Sequence, residues 1–123
     1  MTEYITIIEV LTMHKILIEG YGGSHGIRDM GALESALFRP QTGYYEDLIQ
    51  EAAALWESIS QNHPFIDGNK RVAFAVTYVF LATNGLKIKT DNDKTHKFII
   101  DLYSKNSFEF KYLEQWLRDN IHD

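Results

Sequence analysis

The chain has 123 residues, a formal net charge of -5 and no cysteine. That acidic balance speaks against a protein that grips nucleic acid directly through a broad basic surface, and the missing thiols exclude a disulfide framework or a thiolate metal site. Hydrophobic residues make up 45% and charged residues 24%, the balance of one ordinary globular domain over 1–123. The start, Met1-Thr2-Glu3-Tyr4, has neither the basic region nor the apolar run of a signal peptide. The apolar run Val72–Leu81 is far shorter than the roughly 20 residues a bilayer requires. A cytoplasmic domain without membrane contact is expected.

Thr6-Ile7-Ile8-Glu9 has the spacing of a capping box. From there Ile7, Val10, Leu11, His14, Leu17 and Ile18 recur at helical spacing, and Gly20 to Gly23 should end the helix. His14 falls on the apolar stripe, where a core histidine with one hydrogen bond is the plain reading. Ser24 to Arg28 is a loop, and Asp29 can cap a short helix through Leu33, Ala36 and Leu37 that ends before Pro40. Arg39 to Asp47 is irregular and aromatic: either a surface connection with packed tyrosines, or a flap that lays an extended segment beside the site by strand addition.

Asp47 can cap a third helix to about Asn62, with Leu48, Ala52, Leu55 and Ile59 on one face and Trp56 in the core. Pro64 bars His63 from the helical region, which predicts an extended residue there. A further helix is expected to about Thr83, its run Val72–Leu81 apolar on nearly every side, and Asn84-Gly85 terminates it. Leu86-Lys87-Ile88-Lys89 alternates but is too isolated to predict a sheet. Asp91 or Asn92 opens a helix bearing Phe98, Ile99, Leu102 and Tyr103. Ser107 is the expected cap of a last helix with Tyr112, Leu113, Trp116, Leu117 and Asn120. The class is all-α, with helices packed around the apolar one.

Most of the chemistry lies in His63-Pro64-Phe65-Ile66-Asp67-Gly68-Asn69-Lys70-Arg71. Histidine is the side chain that takes a proton near pH 7. Asp67 is a hard oxygen ligand suited to one side of a Mg²⁺ whose other ligands are phosphates and water. Gly68 permits a tight turn and close approach to a ligand, and the Asn69 amide can hold the loop. Lys70 and Arg71 stand where a helix begins, at the positive end of its dipole, where cations are mildly unfavourable unless an anion binds. Base, metal carboxylate and cationic cradle are the parts that phosphoryl or nucleotidyl transfer to a hydroxyl requires. The plainer reading is an Asp-Gly turn before a solvated basic face, with Phe65 in the core either way. A histidine metal site is poorly supported, because His14, His25, His63, His96 and His122 include no pair at i, i+4. A serine–histidine–aspartate triad finds no Gly-x-Ser-x-Gly elbow.

HPFIDGNKR resembles the signature of the Fic/Doc superfamily, His-x-Phe-x-Asp/Glu-Gly-Asn-Gly/Lys-Arg. Lys70 and the short chain bring it nearest to the death-on-curing (Doc) toxins. Tyr21-Gly22-Gly23, Gly26-Ile27-Arg28-Asp29, Leu33-Glu34-Ser35-Ala36-Leu37 and Asn84-Gly85 extend the likeness in order and spacing. The resemblance implies a compact fold of about six helices around a central buried one. It implies that His63 deprotonates a target hydroxyl, that Asp67 holds Mg²⁺, and that Gly68, Asn69 and Arg71 cradle the phosphates of ATP, to which the reading of the residues adds the Lys70 and Arg71 cations as partners of phosphate oxygens.

Two departures bear on the reaction. The longer Fic pattern ends Gly-Arg-x-x-Arg, whereas Lys70 replaces that glycine and Phe74 stands where the second arginine would be. The Doc-type toxins share this pattern. They bind ATP turned end for end, so that the resemblance implies transfer of the γ-phosphate to a threonine of elongation factor Tu and arrest of translation. The restraining Ser/Thr-x-x-x-Glu-Gly/Asn helix of many Fic enzymes has no counterpart, because Lys15 stands where the hydroxyl should be before Glu19-Gly20. A separate antitoxin helix docking near the site is therefore the implied restraint. AMP transfer, and a non-catalytic module that binds an antitoxin or an operator complex, are the alternatives.

Overall fold

The helix starts carry the caps that the sequence marks. In the computed structural model, which describes residues 1–122, α1 (Ile7–Tyr21) opens on Thr6, whose hydroxyl accepts from the Glu9 N–H at 3.2 Å. The Glu9 carboxylate in turn accepts from the Thr6 N–H at 2.9 Å, closing the capping box. Val10, His14 and Ile18 form its buried stripe, and Gly22, at φ 90°, ends it. Asp29 caps α2 (Met30–Phe38), which buries Leu33, Ala36 and Leu37 and runs into a 3-10 turn over Arg39–Gln41. Asp47 caps α3 (Leu48–Asn62). Then follow α4 (Asn69–Thr83), β1 (Lys87–Ile88), α5 (Asn92–Ser104, capped by Asp91), α6 (Phe110–Asn120) and β2 (Ile121–His122).

The architecture is all-α, with six α-helices. At its centre lies α3, against which α2, the 3-10 turn, α4 and α6 all pack. The sequence reading placed the Val72–Leu81 stretch there instead. The difference comes from side-chain size. Between Ala52 and Ser60 only Glu57 is not buried, because three alanines and two serines let neighbours approach from every side. In α4 the Tyr78 ring reaches solvent. Trp56 of α3 is fully buried and meets Phe74 of α4 at 5.4 Å, Phe98 of α5 at 6.3 Å, Phe108 at 6.0 Å and Trp116 of α6 at 5.5 Å. Aromatic pairs of this kind contribute about 0.5–1.5 kcal/mol each beyond the area they bury, so one tryptophan ties four helices together.

Two elements differ from expectation. Leu86–Lys89 does take part in a ladder: Lys87 pairs with His122 and Ile88 with Ile121, antiparallel, and the Lys89 N–H donates to the Asn120 carbonyl at 2.7 Å. Its partner follows directly on α6, and two-residue strands carry no period that a sequence can display. Ser107 does not cap α6. The helix begins two residues beyond it, at Glu109 and Phe110, and the α3 carboxylate of Glu57 accepts from the Phe110 N–H at 2.6 Å. No helix among the described residues is long and apolar enough to cross a membrane.

Glu57 thus serves two elements, since its other oxygen accepts from Arg39 at 2.7 Å. Burial disfavours the Arg39 charge, but the bonds to Glu57 and to the Tyr45 hydroxyl outweigh it and raise its pKa. Replacing Glu57 by Ala leaves a half-buried guanidinium without its carboxylate and the α6 start without its acceptor. The expected loss is about 2–3 kcal/mol, read from a lower urea midpoint at unchanged slope. A loss below about 1 kcal/mol would show that water replaces the carboxylate at both points.

Candidate functional site

The residues between α3 and α4 form a loop tied down at six points. Asn69 uses its whole amide on Phe65, Oδ1 accepting from the Phe65 N–H and Nδ2 donating to the Phe65 carbonyl, each at 2.9 Å. Arg28 donates from Nε to the His63 carbonyl at 2.5 Å and from NH2 to the Asn62 carbonyl at 2.6 Å, which satisfies the open end of α3 and sets a cation where the helix dipole is negative. The Pro64 carbonyl accepts from the N–H groups of Arg28 and Asp29 at 2.8 and 3.0 Å. The Ile66 N–H donates to the Gly26 carbonyl at 3.1 Å, around a bridge between Ile27 and Phe65. The fifth tie is His14.

His14 of α1 is 4% exposed, stacks on Phe65 with ring centroids 3.8 Å apart, and bonds the Asp67 carbonyl at 2.8 Å. A carbonyl only accepts, so Nε2 carries the proton. The residue is a core histidine with one hydrogen bond, and that bond holds the site loop. The turn itself needs two glycines. Gly68 has φ 77°, and a Cβ at Gly23 would lie 2.7 Å from an Asp67 carboxylate oxygen.

His63 departs from the sequence expectation. It is left-handed, at φ 47° and ψ 57°, rather than extended. Pro64 does exclude the right-handed helical region, but a left-handed residue is an ordinary way out of a helix, histidine is one of the types that adopts it, and the Arg28 fork fixes the two carbonyls on either side. The side chain is exposed.

Asp67 accepts from the Ser24 N–H at 3.0 Å and the Gly68 N–H at 2.8 Å. These two bonds, with the Arg71 charge adding to them, hold its carboxyl below the usual carboxylate range. α4 then begins without a side-chain cap. Among the described residues it is the α-helix whose first-turn N–H groups take no side-chain oxygen; α1, α2, α3 and α5 use their own caps, and α6 uses Glu57. Neither Lys70 nor Arg71 has a carboxylate within 4.0 Å among the described residues. The Lys70 ammonium lies 4.1 Å from the Tyr103 ring centroid and the Arg71 guanidinium 4.7 Å from that of Tyr21. Such contacts contribute about 0.5–1 kcal/mol when exposed and about 2 when desolvated.

His63, Asp67, Gly68, Asn69, Lys70 and Arg71 line one cleft of about 550 Å³. The opposite wall comes from α5: Asn92, Thr95, His96, Ile99 and Ile100. Sequence reasoning missed that wall, although 92, 95, 96, 99 and 100 form a second helical stripe beside the packed one. It also missed the hold that Arg28, Ser24 and His14 have on the loop. No residue from Arg39 to Asp47 lines the cleft among the described residues; Tyr45 packs on Phe110 at 5.7 Å and Tyr44 is exposed. The segment strand-paired to the motif is the one around Ile27. Among the described residues no three His, Asp or Glu side chains cluster to hold a metal, and the His122 side chain lies outside them.

The all-α fold thus opens an uncapped, doubly cationic helix onto a cleft beside a histidine, and a helix end of that kind favours an anion. The chain belongs to the Fic/DOC family, whose model matches residues 4–81. It is 43% identical over 98 residues to "Toxin Doc" of Mycolicibacterium smegmatis, covering 76% of this chain and 73% of that protein. It is 33% identical over 84 residues to "Protein kinase doc" of Escherichia phage P1, covering 65% of this chain and 67% of that one. The chain is thus of the Doc type, and the α5 wall lies beyond the stretch that the family model matches.

Two outcomes are expected. His14→Phe keeps the stack on Phe65 but leaves the Asp67 carbonyl without its donor, costing about 1–2 kcal/mol in urea unfolding; an unchanged midpoint would mean that water takes over the bond. Asp67 has a depressed pKa when folded, so its contribution is complete above the unfolded value of about 3.9 and is lost as pH falls through the lower folded one. The Ser24 amide resonance should report that midpoint below about 3.9, and a midpoint at or above it would contradict the bond.

Proposed function

We propose that the protein, as a single domain over 1–123, is the toxin of a toxin–antitoxin system acting in the cytoplasm. In this reading it is a protein kinase that moves the γ-phosphate of ATP to a hydroxyl, the acceptor being a threonine of elongation factor Tu and the result arrested translation. The observation that carries the reading is the uncapped start of α4, with Lys70 and Arg71 beside it and His63 on the same cleft. Such a helix end favours a polyanion through free N–H groups, dipole and side-chain charge together. The names carried by the relatives, a toxin and a protein kinase, point the same way.

In the reaction, His63 takes the proton of the acceptor hydroxyl as its oxygen bonds to the γ-phosphorus. The bond from that phosphorus to the bridging oxygen breaks, and ADP leaves. Arg71 forks onto phosphate oxygens, Gly68 lets the backbone approach them, and Asn69 keeps the loop in shape. Asp67 fits a Mg²⁺ ligand: its carboxylate is exposed and held ionised, and without other acidic side chains beside it the remaining ligands would be phosphate oxygens and water. When bound, that ion supplies charge neutralisation on the phosphates. The Lys70 stem fills room that a glycine would leave for nucleotide bound in the opposite sense, which favours the γ- over the α-phosphate. AMP transfer is the second reading, and one observation favours it: the Lys70 ammonium is drawn aside onto Tyr103. Restraint by an antitoxin whose helix docks near the cleft completes the proposal.

The test uses purified protein, elongation factor Tu, an antitoxin-free bacterial lysate and ATP labelled at the α- or the γ-phosphate. Label from the γ-position on the elongation factor, absent with His63→Ala, is the expected result. Label from the α-position would make the protein an AMP transferase. No His63-dependent label from either position would leave a binding module.

A further inference from the structure

Lys70 enters the cleft from the second residue of α4, and its ammonium rests on an aromatic face of α5 rather than on a carboxylate. The ring beneath it is unusually well fixed. Tyr103 stacks on Phe108 with centroids 4.4 Å apart and an interplanar angle of 27°, and Phe108 in turn meets Trp56, the ring at the centre of the core. The Tyr103 hydroxyl is buried, as is the Ser60 hydroxyl of α3 beside it. Burial pushes the phenol up, and the ring offers the negative face of its quadrupole to the ammonium. A lysine stem otherwise samples many rotamers. Here one end is anchored in helical backbone and the other on a ring that belongs to the core.

We infer that Tyr103 is a positioning residue that pins Lys70 by its ring face and so turns the Lys70 stem into a fixed wall of the cleft, selecting which phosphate of the nucleotide faces the acceptor. The inference rests on the kinase reading above and explains how a flexible side chain can discriminate. An unpinned lysine would swing out and admit nucleotide in either sense. A pinned one does so less often, so the specificity attributed to Lys70 is strengthened by a residue that touches neither nucleotide nor acceptor. It also gives the drawn-aside ammonium a use within γ-transfer, since the stem lines the cleft whichever way the charge points.

The experiment measures the ratio of α- to γ-label placed on the acceptor by wild type, Tyr103→Phe, Tyr103→Leu, Lys70→Gly and the Tyr103→Leu/Lys70→Gly pair. It is joined to the NMR shift of the Lys70 Cε protons in the wild type, a readout that no folding defect can disturb. The expected result is an upfield, ring-shielded Cε signal. Tyr103→Phe, which keeps the face, should hold the wild-type ratio, while Tyr103→Leu raises the α-share about two- to fivefold and gains nothing further from Lys70→Gly. An unshifted Cε signal overturns the inference, and so does γ-transfer by the wild type with an unchanged ratio in Tyr103→Leu. Both outcomes leave the kinase reading in place. Absence of γ-transfer by the wild type sinks that reading, and this inference with it.

Discussion

The start of α4 sets the terms for the rest of the molecule. A helix of fifteen residues presents its first-turn N–H groups without a capping side chain and carries two cations in that same turn, an arrangement that costs free energy unless an anion arrives. Elsewhere the protein caps its helices, even borrowing Glu57 from α3 to do so for α6. The open end is therefore specific to one place. Placing both cations on tyrosine rings keeps them ordered without neutralising them, which a carboxylate would do. The conflict is local and is offset by a loop tied to α1 and to the segment between α1 and α2.

Those ties explain how a short loop keeps its shape with few contacts of its own. Asn69 closes it on itself, Arg28 holds its beginning, and His14 holds the Asp67 turn from below. The Asp67 carboxylate is held by the N–H groups of Ser24 and Gly68, so that side chain is itself part of the scaffold. Each tie uses backbone groups that would otherwise be unsatisfied, and the side chains of His63, Lys70 and Arg71 are left to face the cleft.

Much of this was legible in the sequence, and the boundary between legible and hidden is physical. Caps were readable because Thr6, Asp29, Asp47 and Asp91 act on N–H groups three residues away, and Asn84-Gly85 ended α4 for equally local reasons. His63 to Arg71 could be read as a site because its residues are consecutive. What was hidden acts across long separations. Glu57 capping α6, β1 pairing with the residues after α6, and His14 reaching Asp67 all join parts of the chain that no local pattern connects. The central position of α3 was hidden for another reason. Hydrophobicity points to α4, but burial on all sides was decided by small size, and alanine and serine score as modest residues while packing as central ones.

The α5 wall shows how the same element serves both core and cleft. One stripe of α5 packs Phe98 and Leu102 inward, while Asn92, Thr95, His96 and Ile99 face the motif from the other side of the cleft. Thr95 and Ile99 lie near the boundary between those faces, and Tyr103, one turn beyond Ile99, reaches back under Lys70. The α5 wall is joined to the core through Phe98, which meets Trp56 and stacks on Trp116. Close-packed interiors do not deform continuously, so the aromatic cluster that joins α3, α4, α5 and α6 also bears on where the α5 wall stands. Only the motif side lies within the stretch that matches the family model.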